Sequence, residues 1–196
     1  MRRLVGITTA VGTITLAAWM SASRTAGLAQ GSPEGPGLIL QKADGERRVR
    51  RPRPEAAGKV AASTMVIKVD QQNGGSPNFF MATEEILPGD AIAPHLHPEY
   101  DEILFVHRGT GLATLGAREA TVTEGATLYI PSNTRVSLKN TGREPLSLVF
   151  IFPRPEVVSA YYRELTVAEG QRVIPFSNEE FAAFRARHKT HVLFDK

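Results

Sequence analysis

Apolar and polar residues alternate in short runs that begin near residue 60 and continue to about residue 152. A period of two is typical of strands that bury one face. Turn-forming Gly, Pro, Asn and Ser residues separate these runs, and no helical period lies between them. Many short strands at near-regular spacing predict an antiparallel sandwich or barrel. The predicted strands span residues 62–69, 78–83, 91–97, 102–107, 111–115, 119–123, 127–130, 135–140 and 146–152.

The end of the chain has a different pattern, which favours a helix. Ser177 is followed three residues later by Glu180, the spacing of a capping box. Phe181 and Phe184 then lie three residues apart, on one helical face. We expect a helix over residues 177–188 that packs on the outside of the barrel.

Residues 1–29 have the order of an export signal. Arg2 and Arg3 precede an uncharged, mostly apolar stretch over residues 4–20, and small and polar residues follow up to Ala29. This order predicts a signal peptide that is cleaved after Ala29, and a periplasmic or secreted protein. A retained membrane anchor is the alternative, but the stretch is short and is diluted by Thr and Gly. The paired arginines leave both the Sec and the Tat route open.

The charge balance changes once this segment is set aside. The chain carries 23 Lys and Arg against 20 Asp and Glu, a formal net charge of +3. Residues 1–29 hold three basic residues and no acidic one, so the remaining chain is formally neutral. A nucleic-acid partner therefore has no support from charge. The absence of cysteine excludes a disulfide scaffold, a thiol nucleophile and an iron–sulfur protein.

One basic run remains, five arginines between residues 47 and 53, accompanied by Pro52 and Pro54. An arm that contacts an anionic surface is one interpretation. We favour a solvated, extended lead-in held open by its prolines, because no aromatic residues are interleaved for base stacking. The predicted segments are a signal peptide (1–29), a flexible basic, Pro-rich segment (30–59), a barrel (60–155) and a C-terminal extension with a helix (156–196).

Two histidines and a glutamate form the sharpest chemical signal. His95 and His97 are two residues apart on a predicted strand, so both side chains project from the same face. Glu102 opens the next strand, and its carboxylate meets the two imidazoles if that strand pairs back on the first. Two neutral imidazoles and a carboxylate suit a divalent ion of Fe, Mn, Ni, Cu or Zn.

The spacing of glycines around these residues extends the motif. Gly89, His95, His97, Glu102 and Gly109 resemble the first motif of the cupin superfamily at every fixed position. The resemblance implies an all-β cupin jelly-roll barrel, an antiparallel double-stranded β-helix, with any metal site inside it. This fold class agrees with the one that the alternation of apolar and polar residues predicts.

A second segment resembles the second cupin motif, with two departures. Gly125, Pro131 and Asn140 match that motif, whereas its middle Gly is replaced by Asn133. Asn tolerates the positive φ of a turn, so this change is modest. Val136 stands where the family places a His ligand, and Val cannot coordinate a metal. The resemblance therefore implies a metal site with three protein ligands, the two imidazoles and the carboxylate of the first motif.

Three interpretations of the missing ligand stay open. In the first, the two imidazoles and the carboxylate bind a metal and leave several positions for water, substrate or O₂. In the second, another group replaces the fourth ligand. His107 is expected to face outward, and His188 or His191 would reach the site only if the C-terminal tail folds over the barrel mouth. In the third, no metal binds, and the imidazoles form hydrogen bonds or transfer protons.

The resemblance implies two classes of function. One is an enzyme with a divalent metal at His95, His97 and Glu102, such as a quercetinase-like dioxygenase, in which Glu102 is a ligand or, once detached, a catalytic base. The other is a metal-free cupin that binds a small metabolite or sugar without turnover, or a metal-free isomerase or epimerase. In each case the partner is a small molecule, with no nucleic acid and no membrane span after signal cleavage. A homodimer formed by sheet pairing is also implied, with residues 62–69 as its candidate edge strand.

Overall fold

The computed structural model describes residues 37–56 and 63–194. The predicted signal peptide and its cleavage site lie outside these residues and stay predictions. The described residues form two antiparallel sheets and two short α-helices. Within them, no helix is both long and apolar enough to cross a membrane.

Twelve strands make up the two sheets. They are β1 (Glu46–Arg50), β2 (Thr64–Val69), β3 (Phe79–Ile86), β4 (Ala91–Leu96), β5 (Glu102–Arg108), β6 (Thr110–Leu115), β7 (Arg118–Thr123), β8 (Thr127–Ile130), β9 (Val136–Asn140), β10 (Leu146–Pro153), β11 (Thr166–Ala168) and β12 (Leu193–Phe194). The helices are α1 (Pro155–Leu165) and α2 (Asn178–Arg187), and Pro54–Ala56 form a 3-10 turn. The first sheet has the order β11-β1-β2-β3-β10-β5-β8, and the second has the order β12-β4-β9-β6-β7.

The alternating pattern places apolar side chains between the two sheets. On β5, Leu104 and Val106 are buried, whereas Ile103 and Phe105 on the opposite face are exposed. In the other sheet, β9 contributes Leu138 to the same core cluster. The predicted all-β fold, a cupin jelly roll of two antiparallel sheets, is confirmed.

The arginine-rich segment is part of the fold, in contrast to the solvated lead-in that we predicted. β1 lies between β11 and β2 and pairs with both in antiparallel register. Arg47 forms an ion pair with Glu169 at 2.7 Å, and Arg50 forms one with the buried Glu84 at 2.6 Å. That prediction was wrong because the partners of these cations lie far away along the chain and give no local signal.

The strand expected to form an edge lies inside its sheet. β2 has β1 on one side and β3 on the other, and the outer strands of this sheet are β11 and β8. The expectation that residues 62–69 offer a free edge is therefore wrong, since both neighbours use the backbone groups of β2. The homodimer itself stays a prediction.

The C-terminal extension contains the predicted helix and a second one that was not predicted, α1. At the start of α2, Glu180 N donates to Ser177 Oγ at 3.1 Å, and Ser177 N donates to Glu180 Oε2 at 2.8 Å. This pair of bonds confirms the predicted capping box. Phe184 of α2 is fully buried and packs against the rings of Phe176 and Phe181.

Helix α1 is held against the first sheet by one buried carboxylate. Asp70, which directly follows β2, accepts hydrogen bonds from Arg163 Nη1 at 2.5 Å and from the hydroxyl of Ser159, both on α1. Two backbone N–H groups of the following turn donate to its other oxygen. Burial raises the pKa of Asp70, but the hydrogen bonds outweigh burial and place the pKa below its ordinary value. This anchor positions the helix whose Tyr161 and Tyr162 line the interior cavity.

Removing this carboxylate should destabilise the protein far more than removing an exposed ion pair. We expect Asp70→Ala to lower the free energy of unfolding by about 3 kcal/mol, because a half-buried guanidinium and a buried hydroxyl lose their partner. Arg163 also lies 2.6 Å from Glu46, which keeps the loss near the lower end of the usual range. Arg47→Ala, which breaks the exposed pair with Glu169, should change the free energy of unfolding much less, because solvent screens that pair. Urea unfolding measures both losses, and equal losses would contradict the role assigned to Asp70.

Candidate metal centre

The structure brings His95, His97 and Glu102 together. His95 lies on β4, His97 directly follows that strand, and Glu102 is the first residue of β5. The turn between the strands returns the carboxylate to the imidazoles, so that one ligand atom of each residue lies within 4.8 Å of the others. His97 and Glu102 are only 3% and 5% exposed, and His97 Nε2 lies 3.3 Å from Glu102 Oε2. The three residues that the motif singled out therefore form one buried cluster.

Two backbone carbonyls fix the orientation of the imidazoles. His95 Nδ1 donates to the carbonyl of Ala93 at 2.8 Å, and His97 Nδ1 donates to the carbonyl of His191 at 2.6 Å. A carbonyl can only accept, so each Nδ1 carries a proton, and in the neutral imidazole Nε2 is then the nitrogen with a free lone pair. Nε2 of His97 is buried and has no hydrogen-bond partner among the described residues. Metal-ligating histidines have this arrangement, with the second ring nitrogen held by a carbonyl or carboxylate.

Burial keeps the imidazole of His95 neutral. Desolvation lowers the pKa of His95 to about 4, and the neighbouring His97 acts in the same direction. An imidazole that binds no proton at neutral pH has its lone pair free for a cation. Neutral imidazoles and one carboxylate, enclosed by protein, fit a divalent ion such as Fe, Mn, Ni, Cu or Zn. The residues present thus suit the predicted metal.

The strand that faces the site brings no fourth ligand. Val136 on β9 pairs with His95 on β4 and lines the same cavity. Its buried isopropyl group has no donor atom. His107 on β5 is exposed, as its odd offset from Glu102 predicts. Among the described residues the ligand group stays at three, which would leave coordination positions open toward the cavity.

The C-terminal tail folds over the barrel mouth, which was the condition for its histidines to reach the site. We call residues 188–194 the C-terminal strap. Its strand β12 pairs with β4, and Phe194 lies opposite His95. His191 is fully buried, with its ring centre 4.9 Å from that of His97. The strap therefore forms part of the wall of the site.

The two histidines of the strap have side-chain partners outside the ligand group, but the buried Nε2 of His191 has no hydrogen-bond partner among the described residues. His191 Nδ1 is hydrogen-bonded to the hydroxyl of Tyr100, and His188 Nε2 lies 2.7 Å from the carboxylate of Glu164. Neither imidazole belongs to the group of candidate ligand atoms. His191 Nε2 therefore lies beside the site but outside the group of three ligand atoms that the described residues bring together. What the strap supplies is a backbone carbonyl, which has no signal in residue types.

A cavity of about 40 Å³ lies beside the three candidate ligands, and a larger cleft of about 270 Å³ adjoins it. Arg50, Arg53, Glu84 and Ile92 line both spaces and so stand where the cleft meets the cavity. Sequence reasoning missed this role of the two arginines, because it placed them in a solvated segment. Their proximity to the site follows from the pairing of β1 within the first sheet.

Comparison with known proteins supports the fold. Residues 82–152 match the family model described as Cupin domain. The tetracenomycin polyketide synthase protein TcmJ of Streptomyces glaucescens is 26% identical over 52% of this chain and 78% of its own length. For two further curated relatives, the chain spans 63% of their length.

Two solved structures have a similar backbone. A cupin-superfamily sugar phosphate isomerase from Silicibacter pomeroyi has a TM-score of 0.51 at 20% identity, over 60% of this chain and 76% of that chain. A predicted oxalate decarboxylase from Thermotoga maritima has a TM-score of 0.50 at 17% identity, over 59% of this chain and 98% of that chain. At these identities the likeness shows the shared cupin fold and does not show a shared function.

Acidification should destabilise the metal-free protein through its buried imidazoles. Burial lowers the pKa of His95 to about 4 and places that of His191 well below the ordinary value of 6.5. Between the folded and the unfolded pKa, the unfolded chain binds more protons, so stability is lost as the pH falls. Each such group contributes a slope of up to about 1.4 kcal/mol per pH unit.

The variant His191→Gln isolates one of these groups. We expect the free energy of unfolding, measured with urea between about pH 7 and pH 5, to depend less steeply on pH in this variant than in the wild type. His107→Gln changes an exposed imidazole and should keep the wild-type slope. An unchanged slope in His191→Gln would show that His191 does not titrate as its burial implies.

Proposed function

We propose that the protein is an enzyme that binds a divalent metal ion at His95, His97 and Glu102 and acts on a small organic molecule. One observation carries this proposal: Nε2 of the buried His97 has no hydrogen-bond partner among the described residues and lies 3.3 Å from the Glu102 carboxylate. An unsatisfied buried nitrogen costs about 1–3 kcal/mol. That cost disappears once the two imidazoles and the carboxylate share a cation.

The three side chains would have distinct roles. His95 and His97 present neutral nitrogen ligands that their carbonyl partners hold in place, and Glu102 offsets part of the charge. When bound, a metal of this type supplies Lewis-acid chemistry and, for Fe, Mn, Ni or Cu, redox chemistry. Val136 leaves room on the side of the site where a fourth side-chain ligand is missing. The carboxylate of Glu102, once detached, is the group placed to take a proton from a substrate.

Within this class we propose a dioxygenase resembling the quercetinase-like cupins. Two imidazoles and one carboxylate with open positions are the ligand set of non-haem oxygenases. Both atoms of O₂ would enter the organic substrate, which itself supplies the electrons, so no further reductant is required. The polyketide synthase role in the name of TcmJ supports a first panel of flavonols, diketones and phenols.

A metal-free isomerase or epimerase is the competing hypothesis, and one observation weakens it. Such an enzyme needs a base whose pKa lies near the working pH. Burial holds the pKa of His95 at about 4, which makes this imidazole a weak base. A binding protein without turnover would use the same cavity but would show no oxygen uptake with the ligand it binds.

Export to the periplasm or out of the cell, and assembly as a homodimer, are part of the proposal. The first is supported by the order of basic, apolar and small residues within residues 1–29. The second is supported by the common behaviour of small cupins. N-terminal sequencing of the mature protein tests the first, and its mass in solution tests the second.

Protein purified without an affinity tag should contain near-stoichiometric metal. The double variant His95→Ala/His97→Ala should fall to background, because a single carboxylate is a weak site for these ions. His107→Ala, at an exposed position, is the matched control and should keep the wild-type content. Plasma mass spectrometry measures the metal. Substoichiometric metal that is unchanged in the double variant would defeat the metal hypothesis and favour the metal-free alternative.

Oxygen uptake by the metal-loaded protein tests the dioxygenase. We expect oxygen uptake with at least one class of the panel. Glu102→Gln should lower the rate of uptake by more than about 100-fold, because loss of a metal ligand should reduce activity more than loss of a group that orients a ligand. An oxygen electrode gives the rate, and metal content is measured in parallel. No uptake with any class of the panel would reject a dioxygenase that acts on flavonols, diketones or phenols.

A further inference from the structure

Arg53 stands between the outer cleft and the candidate metal cavity. It lines both spaces, together with the pair formed by Arg50 and Glu84. Its guanidinium carbon lies 4.4 Å from the centre of the Phe194 ring, and that centre lies 6.2 Å from the centre of the His95 ring. Arg53 and a candidate metal ligand therefore lie against the same aromatic ring, and one small molecule can reach both.

The neighbouring cation, Arg50, already has its counter-charge. Arg50 Nη2 lies 2.6 Å from Glu84 Oε1, and the same oxygen accepts a hydrogen bond from Ser63 Oγ at 2.9 Å. Glu84 is only 4% exposed, so this is a buried and well-satisfied ion pair. It adds no net charge to the wall of the cavity.

Arg53 lacks such a partner within the described part of the chain. Its ion-pair contact there is with Glu55 Oε1, at 4.0 Å, on a side chain that is 67% exposed. The flat faces of its guanidinium lie over Phe194 and, at 5.8 Å, over Phe181. Stacking on aromatic rings stabilises the cation and uses the faces of the group. The N–H edge is left for a ligand.

The charges around Arg53 favour an anion. Burial lowers the pKa of Arg53, and repulsion from Arg50 adds to that effect, so protein charges do not fully compensate this cation. In the cleft, Asp90 is the acid beside the Arg50–Glu84 pair, and Arg51 forms its ion pair with Glu180 at 3.6 Å. In the cavity, Glu102 is the remaining acid, and under the proposed function the metal offsets its charge. The wall beside the open positions is then net positive.

We propose that Arg53 is the anion-binding residue of this site and that its ligand is a small organic oxyanion, a carboxylate or a phosphate monoester. The guanidinium edge offers two parallel donors that match two oxygens of such a group. With the anion on Arg53, the rest of the molecule extends past Phe194 toward His95. The anion-binding role of Arg53 stands on the contacts above. That the part of the ligand near His95 reacts there rests on the proposed function, because the inference names the substrate class of the same cavity.

Ring compounds that differ only in their head group test the proposal: benzoate, phenyl phosphate and the uncharged benzamide. Each is titrated calorimetrically into the full chain, both metal-free and loaded with Mn²⁺. Wild type should bind at least one of the anions at least about tenfold more tightly than benzamide. Arg53→Gln should lower the affinity for that anion at least about tenfold and leave the affinity for benzamide unchanged. Arg53→Lys keeps the charge without the fork and should recover part of the affinity.

Arg47→Gln removes an exposed arginine of the preceding strand and should bind like the wild type. Circular dichroism and metal content show whether each variant keeps its fold and its metal site. If Arg53→Gln does not fold, Arg53→Lys and the head-group preference of the wild type decide. Equal affinity of wild type and Arg53→Gln for both anions, or no anion binding by the wild type, would overturn the inference. If the protein cannot be loaded with metal at His95, His97 and Glu102 but still binds the anion through Arg53, the proposed function fails and this inference stands.

Discussion

The candidate site depends on one hydrogen bond, from His97 Nδ1 to the backbone carbonyl of His191 at 2.6 Å. This bond joins the turn after β4 to the C-terminal strap, so the ring of His97 is set only when the strap is in place. The strap is held by the pairing of β12 with β4 and by the contact of His188 with Glu164 on α1. α1 is in turn anchored by Asp70 on the first sheet. Residues outside the predicted barrel thus orient a ligand inside it.

Burial has two opposing effects on this cluster. It lowers the pKa of His95 to about 4 and so keeps that imidazole available as a ligand. It also leaves Nε2 of His97 without a hydrogen-bond partner in the described chain, at a cost in stability. Apolar side chains of similar volume would fill the same space at no such cost. A polar cluster that the fold orients but does not satisfy therefore indicates binding rather than structural support.

The barrel and the His-x-His-Glu cluster could be predicted because each has a local signal, the period of two and a fixed spacing. The elements outside the predicted barrel are held by contacts between residues that are far apart in sequence. Arg48 on β1, for example, donates a hydrogen bond to the hydroxyl of Thr166, 118 residues away. α1 has a helical signal in its buried residues, but it follows β10 at once and the strand pattern hides its start. The buried apolar and aromatic residues that follow the first turn of α1 are Val158, Tyr161, Tyr162 and Leu165. The carbonyl of His191 could not be predicted, because every residue type has one.

The missing fourth ligand and the weakly paired arginine favour the same kind of substrate. A divalent ion on two neutral imidazoles and Glu102 would keep one positive charge, beside the apolar side chain of Val136. Arg53 adds another positive charge where the cleft meets the cavity. Apolar walls strengthen both charges relative to water, so a neutral substrate would leave them uncompensated. An anion would offset both, and the small side chain of Val136 would leave it the space that a fourth imidazole would otherwise fill.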